Sequence, residues 1–257
     1  MRRPTYGFTH DPTGQTAHRP FPLPREPWIM AQRWSDLLFA HWPVPVESLR
    51  PLVPATLPID SFEGSAWISI ASFYLSHLRP RWLPALPWLS EFPELNVRTY
   101  TSLGGKPGVY FFSLDAGSVL AVEAARTLYH LPYMRAQMTT ARGADGVFTY
   151  LSHRTDARGK TADFRARYRP AGPVRPSAPG SLDHWLTERY CLYAVDSAGR
   201  VRRAEIHHHP WPLQSVEAQI EVNTMTDAAG VVTQGPPQRI AFSESIDVVV
   251  WRPRVVR

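Results

Sequence analysis

A mainly β, α+β fold is predicted for this 257-residue chain, as an antiparallel β-barrel carrying a few short helices. Three observations predict it. About eight to eleven segments are rich in β-branched and aromatic residues and bounded by Gly, Pro and Asp-Ser turns. Helical signals are confined to short stretches, and two pairs of strand-like segments face each other across tight turns.

Taken in order, residues 1–27 carry prolines at 4, 12, 20, 22, 24 and 27 and little apolar content, which predicts an extended or disordered arm. Residues 28–257 are expected to form a single domain. Arg33 to Trp42 is its first strongly apolar segment, and Val44 to Leu52, bracketed by Pro43 and Pro54, reads as a short helix. Ser65 to Leu75 follows the Glu63-Gly64 turn and has the composition of a buried strand. The proline-rich stretch 78–94 reads as a loop packed over the core.

Leu95 to Thr101 and Gly108 to Leu114, joined through Gly104-Gly105, predict a β-hairpin. Alternation puts Asn96, Arg98 and Tyr100 on one face of its first strand, and Tyr110, Phe112 and Leu114 on one face of its second. If the polar face of the first strand points inward, Arg98 and Tyr100 line a cavity; if outward, they are surface residues. Ala121 to Leu131 then predicts a helix with Ser118 as N-cap, stopped by Pro132, which gathers Arg126, Tyr129, His130 and Tyr133 at one end.

Arg135 to Ala141, Gly146 to Arg154 and Phe164 to Arg169 read as strands. The last has Arg165, Arg167 and Arg169 on one face and Phe164, Ala166 and Tyr168 on the other, the pattern of a half-buried strand. The prolines at 170, 173, 176 and 179 mark a surface loop. Leu182 to Arg189 is a short helix capped by Ser181, and Tyr190 to Val195 with Val201 to His208 forms a second hairpin about Asp196 to Gly199. Val216 to Thr226 fits either helix or strand, and Ala241 to Trp251 is the final strand.

A net charge of +6 and a pI near 9.7 raise nucleic acid as a partner, but the basic residues are scattered and no nucleic-acid motif accompanies them. No such partner is expected. No apolar run has the length of a membrane span, and Arg2-Arg3 is not followed by the apolar segment a secretion signal needs, so a cytoplasmic protein is expected. A homo-oligomer is left open. The single cysteine, Cys191, is expected to pack as a small hydrophobe. Glu205, His207 and His209 would share a strand face, yet that face reads as solvated, so neither metal nor other cofactor is expected. His208, pointing inward beside Trp211, is the histidine of interest.

Five ordered segments carry a resemblance: F-P-E-L-N-V-R-T-Y (92–100), K-P-G-V-Y-F-F-S-L-D-A (106–116), A-R-T-L-Y-H-L-P-Y (125–133), L-T-E-R-Y-C-L-Y (186–193) and H-H-P-W-P-L (208–213). In these the chain resembles the YqjF-like bacterial family, domain-of-unknown-function family 2071, whose fold is similar to that of acetoacetate decarboxylase. The resemblance implies a barrel with an apolar internal cavity. It also implies a loss. Acetoacetate decarboxylase forms a Schiff base on one of two lysines following a proline. Here Arg126 and Pro132 match, but Tyr133-Met134 stand at the lysine positions, and its glutamates fall opposite Arg98-Thr99-Tyr100 and Trp67-Ile68-Ser69. Arg33 corresponds to its entrance arginine.

The expectation is therefore a protein, not a Schiff-base decarboxylase, that binds a small carbonyl or carboxylate compound in the barrel. Arg33, Arg98 and Arg126 would supply charge and Tyr100, Tyr110 and Tyr133 hydrogen bonds. In an alternative reading it is an enzyme in which Tyr133 and His208 act as acid and base; a basic nucleic-acid-binding module is a weaker one.

Overall fold

The computed structural model describes residues 12–85 and 90–256. Strands β1 (Met30–Val44), β2 (Ala66–Pro80), β3 (Phe92–Leu103) and β4 (Lys106–Ala116) come first, with the one-turn helix α1 (Val46–Leu49) after β1. Helix α2 (Val119–Tyr129) leads into β5 (Tyr133–Arg142), β6 (Phe148–Arg154) and β7 (Asp163–Arg175). Helix α3 (Leu182–Thr187) precedes β8 (Cys191–Val195), β9 (Val201–His207) and β10 (Leu213–Asn223), and α4 (Met225–Ala228) precedes β11 (Arg239–Val250) and β12 (Arg254–Val255).

All twelve strands join one sheet in the order β12-β9-β8-β4-β3-β2-β1-β11-β10-β7-β6-β5. Additional pairings β9–β11 and β4–β5 tie distant parts of the ladder together. Pairing is antiparallel except where β4 meets β5 and β8. The twelfth strand is two residues long, too short for any periodic signal.

The long central strands bury both faces. One face carries Leu38, Ala40, Ile68, Ile70, Leu95 and Val97 into an apolar core shared with Phe148, Phe164 and Phe242. The opposite face carries Phe39 and His41 from β1, Trp67, Ser69, Ala71 and Phe73 from β2, and Glu94, Asn96, Arg98 and Tyr100 from β3. All of these are buried. Arg98 and Tyr100 are therefore buried and not ordinary surface residues.

Several sequence expectations change. A β-bulge between Val97 and Arg98 in the β3–β4 register breaks the alternation of β4. Leu114 therefore pairs opposite Asn96 and packs with Phe111, while Tyr110 and Phe112 stack edge to face elsewhere. Strand β2 runs through Pro80 and β3 begins at Phe92, so the loop is shorter than predicted, and Trp82 and Leu83 are exposed rather than packed over the core. Residues 86–89 of it lie outside the described residues. Much of the expected surface loop after Arg169 continues β7 to Arg175. Residues 213–223 are strand, since the ladder with β7 absorbs a register slip at Ile220/Val222 that sequence periodicity cannot show. On β7, Phe164, Ala166 and Tyr168 are buried and Arg165, Arg167 and Arg169 exposed, as expected.

Helix α2 starts at the predicted cap: the Ser118 hydroxyl accepts from the Ala121 N–H at 3.3 Å, a contact type worth about 1 kcal/mol. It ends at Tyr129, two residues before Leu131, because His130 takes the left-handed conformation, φ 56°.

Residues 1–11 of the arm lie outside the described residues; Pro12 to Arg19 contact β9, and Leu23 and Glu26 contact Val249 and Trp251. Arg19 is buried there, donating to the Ile206 carbonyl at 2.6 Å and the Glu205 carboxylate at 2.8 Å. His18 stacks on His207 at 5.4 Å, and the His207 Nε2 lies 3.0 Å from the Pro12 carbonyl. The Glu205–His207 face is thus covered, not solvated. The arm supplies the cover, which no pattern within β9 reveals.

One buried ion pair fastens β4 to β6. Arg154 meets Asp115 through Nε at 2.8 Å and its terminal nitrogen at 2.7 Å, with Ser113 Oγ at 2.7 Å. Arg154→Met leaves the Asp115 carboxylate buried without its partner and is expected to cost about 3–5 kcal/mol in urea denaturation.

Candidate functional site

The inner face of β3 and its neighbours builds the site. His41, Ser69 and Arg98 are cross-strand partners on β1, β2 and β3. His41 Nδ1 lies 2.5 Å from Ser69 Oγ, which is 2.6 Å from the Tyr100 hydroxyl, itself 3.2 Å from His41 Nδ1. This closed triangle holds the Tyr100 ring in place. Burial and the charge of Arg98 push the His41 pKa well below the ordinary value, so the imidazole is neutral.

Arg98 sits beside this triangle with its guanidinium carbon 5.3 Å from the Phe39 ring centroid. It is 8 % exposed, its Nε has no hydrogen-bond partner, and burial lowers its pKa while the Tyr100 hydroxyl offsets part of that effect. Among the described residues no carboxylate pairs with it. A second buried guanidinium, Arg189, adds positive potential from nearby, although it pairs with Asp60 at 2.6 Å. The Trp67 and Trp211 indole nitrogens and the Asn96 side-chain oxygen are also buried without partners. Orphaned buried polar groups are rare in folded proteins and mark places where a ligand or water completes the bonding.

Four residues earlier on the same face of β3, Glu94 is buried and accepts a hydrogen bond from the Tyr133 hydroxyl at 3.0 Å. Burial raises the Glu94 pKa to about 8; the Tyr133 bond opposes that shift and the Asp115 charge adds to it. The carboxyl is therefore mostly protonated at pH 7. Burial, then Glu94, push the Tyr133 phenol well above its usual range. A glutamate does stand against the residue in the lysine position. The expectation that such a partner is missing matched the wrong turn of the strand, since Glu94 lies before the Arg98-Thr99-Tyr100 stretch.

The remaining predicted residues divide. Arg126 donates to the Tyr133 carbonyl at 2.7 Å, so it braces Tyr133 from outside, and with Tyr110 it lines a cleft of about 450 Å³ near Leu131 and Pro132. Arg33 is engaged by Asp247 through Nε at 2.6 Å and a terminal nitrogen at 2.9 Å. His208 is buried, stacks on Tyr190 at 4.8 Å, meets the Trp211 ring at a tilt at 5.1 Å, and has Nδ1 2.7 Å from the His209 carbonyl. Burial above all brings its pKa down to about 3. Arg98 and Tyr100 are brought together, as are Arg126 and Tyr133; Tyr133 bonds to Glu94, and His208 has separate partners.

A second cleft, of about 740 Å³, is lined by Pro43, Ser65, Trp67, Leu182 and Gln238 among others. Pro43 and Trp67 are cross-strand partners one step along the same face from His41 and Ser69, so this cleft adjoins the Arg98 end of the polar row. No group of His, Cys, Asp and Glu suited to a metal ion occurs among the described residues. Cys191 is buried and its thiol pushed up to about 12, which leaves it unreactive. Arg169 pairs with Glu217 at 2.7 Å and Arg165 approaches Glu221 at 3.8 Å, which partly neutralises the basic face of β7. Among the described residues no helix is long and apolar enough to cross a membrane.

His41, Ser69 and Glu94 were not among the predicted site residues. A lone histidine or serine in an apolar run carries no sequence signal, but Glu94 shares the alternation that marked Arg98.

In structure the chain is similar to the enduracididine biosynthesis enzyme MppR, solved in complex with pyruvate, with a TM-score of 0.60 and 13% identity over 97% of this chain and 96% of that one. It is similar also to an acetoacetate decarboxylase-like enzyme from Sphingomonas wittichii RW1, with a TM-score of 0.60 and 14% identity over 90% and 94% of the two chains. These likenesses give an acetoacetate decarboxylase-like fold. In sequence it is 48% identical over 224 residues to the uncharacterized protein YqjF of Bacillus subtilis, covering 87% of this chain and 91% of that protein. Residues 31–247 match DUF2071, described as an uncharacterized conserved protein. The chain belongs to the DUF2071 family.

Proposed function

We propose that this protein binds a small carbonyl- or carboxylate-bearing organic molecule on the inner face of β3, anchored by Arg98 and without Schiff-base chemistry. The observation that carries the reading is the Arg98 guanidinium, buried with an unbonded Nε and with no carboxylate partner among the described residues. An isolated buried cation costs several kcal/mol, and a ligand carboxylate there recovers much of that cost through charge-assisted hydrogen bonds. Tyr100 shapes the anchor, and Tyr133 with Glu94 supplies hydrogen bonds farther along. In this reading Arg33 and Arg126 position structure rather than touch the ligand, and the neutral His208 carries no charge to it.

The lysines speak against an imine. Lys106 is engaged by Glu205 at 2.5 Å beside the Phe21 ring, away from the Arg98 row, and Tyr133 occupies the position the resemblance gives to the nucleophile. Incubation with acetoacetate and borohydride is expected to leave both Lys106 and Lys160 unlabelled in mass spectrometry, and a trapped adduct on either overturns the denial of Schiff-base chemistry. Calorimetric titration with small oxo acids is expected to show binding that Arg98→Met abolishes; binding unaffected by that substitution overturns the anchor.

A further inference from the structure

We propose that the cleft between β8 and β5 is a second binding site, for a small aromatic carboxylate whose charge meets Arg126 and which the Tyr110 hydroxyl and His130 hydrogen-bond. This site is independent of the Arg98 anchor. It arises where one edge of β4 is shared by two strands. β8 pairs with that edge only at Val109 and Tyr110, and β5 only from Leu114 to Ala116, so Phe111 to Ser113 have no strand against it. Both neighbours run parallel to β4, and β8 parts from it before β5 arrives. The bulge that leaves Phe112 without a partner on β3 lies at the same level. The wedge so formed is the cleft of about 450 Å³, lined by Phe111 and Phe112 from β4 and by Ala194 and Val195 from β8. That volume lies within the roughly 300–1,000 Å³ of small-molecule sites.

The end of α2 closes the other side. Arg126 and His130, four residues apart, both line the cleft, and no carboxylate is among the lining residues. Glu123, the one acidic residue of α2, is taken by Arg135 at 2.7 Å and Arg158 at 2.9 Å. One terminal nitrogen of Arg126 donates to the Tyr133 carbonyl. Among the described residues no carboxylate pairs with the guanidinium, and its other N–H groups are left for a ligand. One fixed cation matches the single charge of a carboxylate, which a guanidinium binds through charge-assisted hydrogen bonds. The Tyr110 phenol also lines the cleft and has no protein partner among the described residues; burial alone pushes its pKa up, so it stays protonated and donates. The body of the ligand meets rings. Tyr110 and Phe112 stand edge to face at 5.8 Å, and Phe111 and Pro132 extend the apolar wall, a lining that suits a flat ring.

Calorimetry on the full chain at pH 7 with phenylacetate, its neutral isostere phenylacetamide, and acetate tests it. Phenylacetate is expected to bind about tenfold more tightly than either, since the amide lacks the charge and acetate the ring. Arg126→Gln is expected to weaken phenylacetate about tenfold and Tyr110→Phe about threefold, whereas Arg98→Met leaves it unchanged. Arg126 also braces Tyr133, so a second variant removes a donor without touching that brace: His130→Asn, whose side chain tolerates the left-handed conformation, is expected to weaken phenylacetate about threefold. Phenylacetamide binding as tightly as phenylacetate overturns the charge contact, and acetate binding as tightly overturns the aromatic body. Phenylacetate binding that survives Arg126→Gln and is lost in Arg98→Met assigns the acid to the inner face of β3 and overturns the second site. No binding of phenylacetate by the parent chain overturns it as well and leaves the Arg98 anchor standing.

Discussion

Arg98→Met is expected to raise the thermal stability of the protein while eliminating ligand binding. Methionine keeps much of the apolar arginine stem, while the guanidinium over the Phe39 ring, with its buried charge and unbonded Nε, is removed. Replacing buried charges with apolar groups of similar volume is neutral or stabilising by about 1–4 kcal/mol, and a chain of this size gains about 2–4 °C in Tm per kcal/mol. The His41 imidazole also loses the positive neighbour that helps depress its pKa. The matched control is Arg154→Met. Both arginines are buried, but Arg154 is paired twice to Asp115 and its loss strands a carboxylate, so that variant is expected to melt lower. Opposite signs in differential scanning calorimetry separate a site kept for binding from a structural ion pair. A loss of stability in Arg98→Met comparable to that in Arg154→Met makes Arg98 structural and removes the basis of the proposed ligand site.

The fold was legible where side-chain period and turn chemistry agree. Ser118, Gly104-Gly105 and the alternation of Phe164 to Tyr168 each imply their local structure, and each is found. What escaped depends on contacts distant in sequence. Glu205 and His207 read as a solvated face because the residues that cover them are about 190 positions away. The bulge in β4 moves Leu114 to the Asn96 side and Tyr110 away from it, and nothing in Val109 to Leu114 marks the extra residue. The candidate site was half legible for the same reason. Alternation along one strand grouped Asn96, Arg98 and Tyr100, but assembling His41 and Ser69 beside them needs the register of three strands. The resemblance found Tyr133 yet missed its carboxyl partner, because a match four residues off along a strand preserves the face while changing the residue.

Glu94→Gln is expected to remove a pH dependence of stability. The native pKa of Glu94 lies near 8 against an ordinary value of 4.5, so between those values the folded protein holds a proton that the unfolded chain releases. Stability from this group is then greatest below pH 4.5, declines as pH rises through the interval, and reaches its floor above pH 8. The full swing is several kcal/mol, about 5 at the most for a shift of this size. Of the groups facing Glu94, the Tyr133 phenol is pushed far above neutral, and Asp115, whose pKa burial raises although Arg154 opposes the shift, is present in the parent and the variant alike. Glutamine stays neutral at every pH and can still accept from Tyr133. The stability of Glu94→Gln relative to the parent should therefore be flat below about pH 4.5, climb to about pH 8 and level off above it, in paired urea melts at fixed ionic strength. Taking the difference cancels Asp156 and Glu123, whose pKa values are lowered by arginines and which destabilise the parent and the variant alike in acid. A difference curve without slope between pH 5 and 8 means that Glu94 is ionised in the native state. The Glu94 end of the proposed Arg98 site then carries a negative charge that repels an oxo acid instead of hydrogen-bonding it.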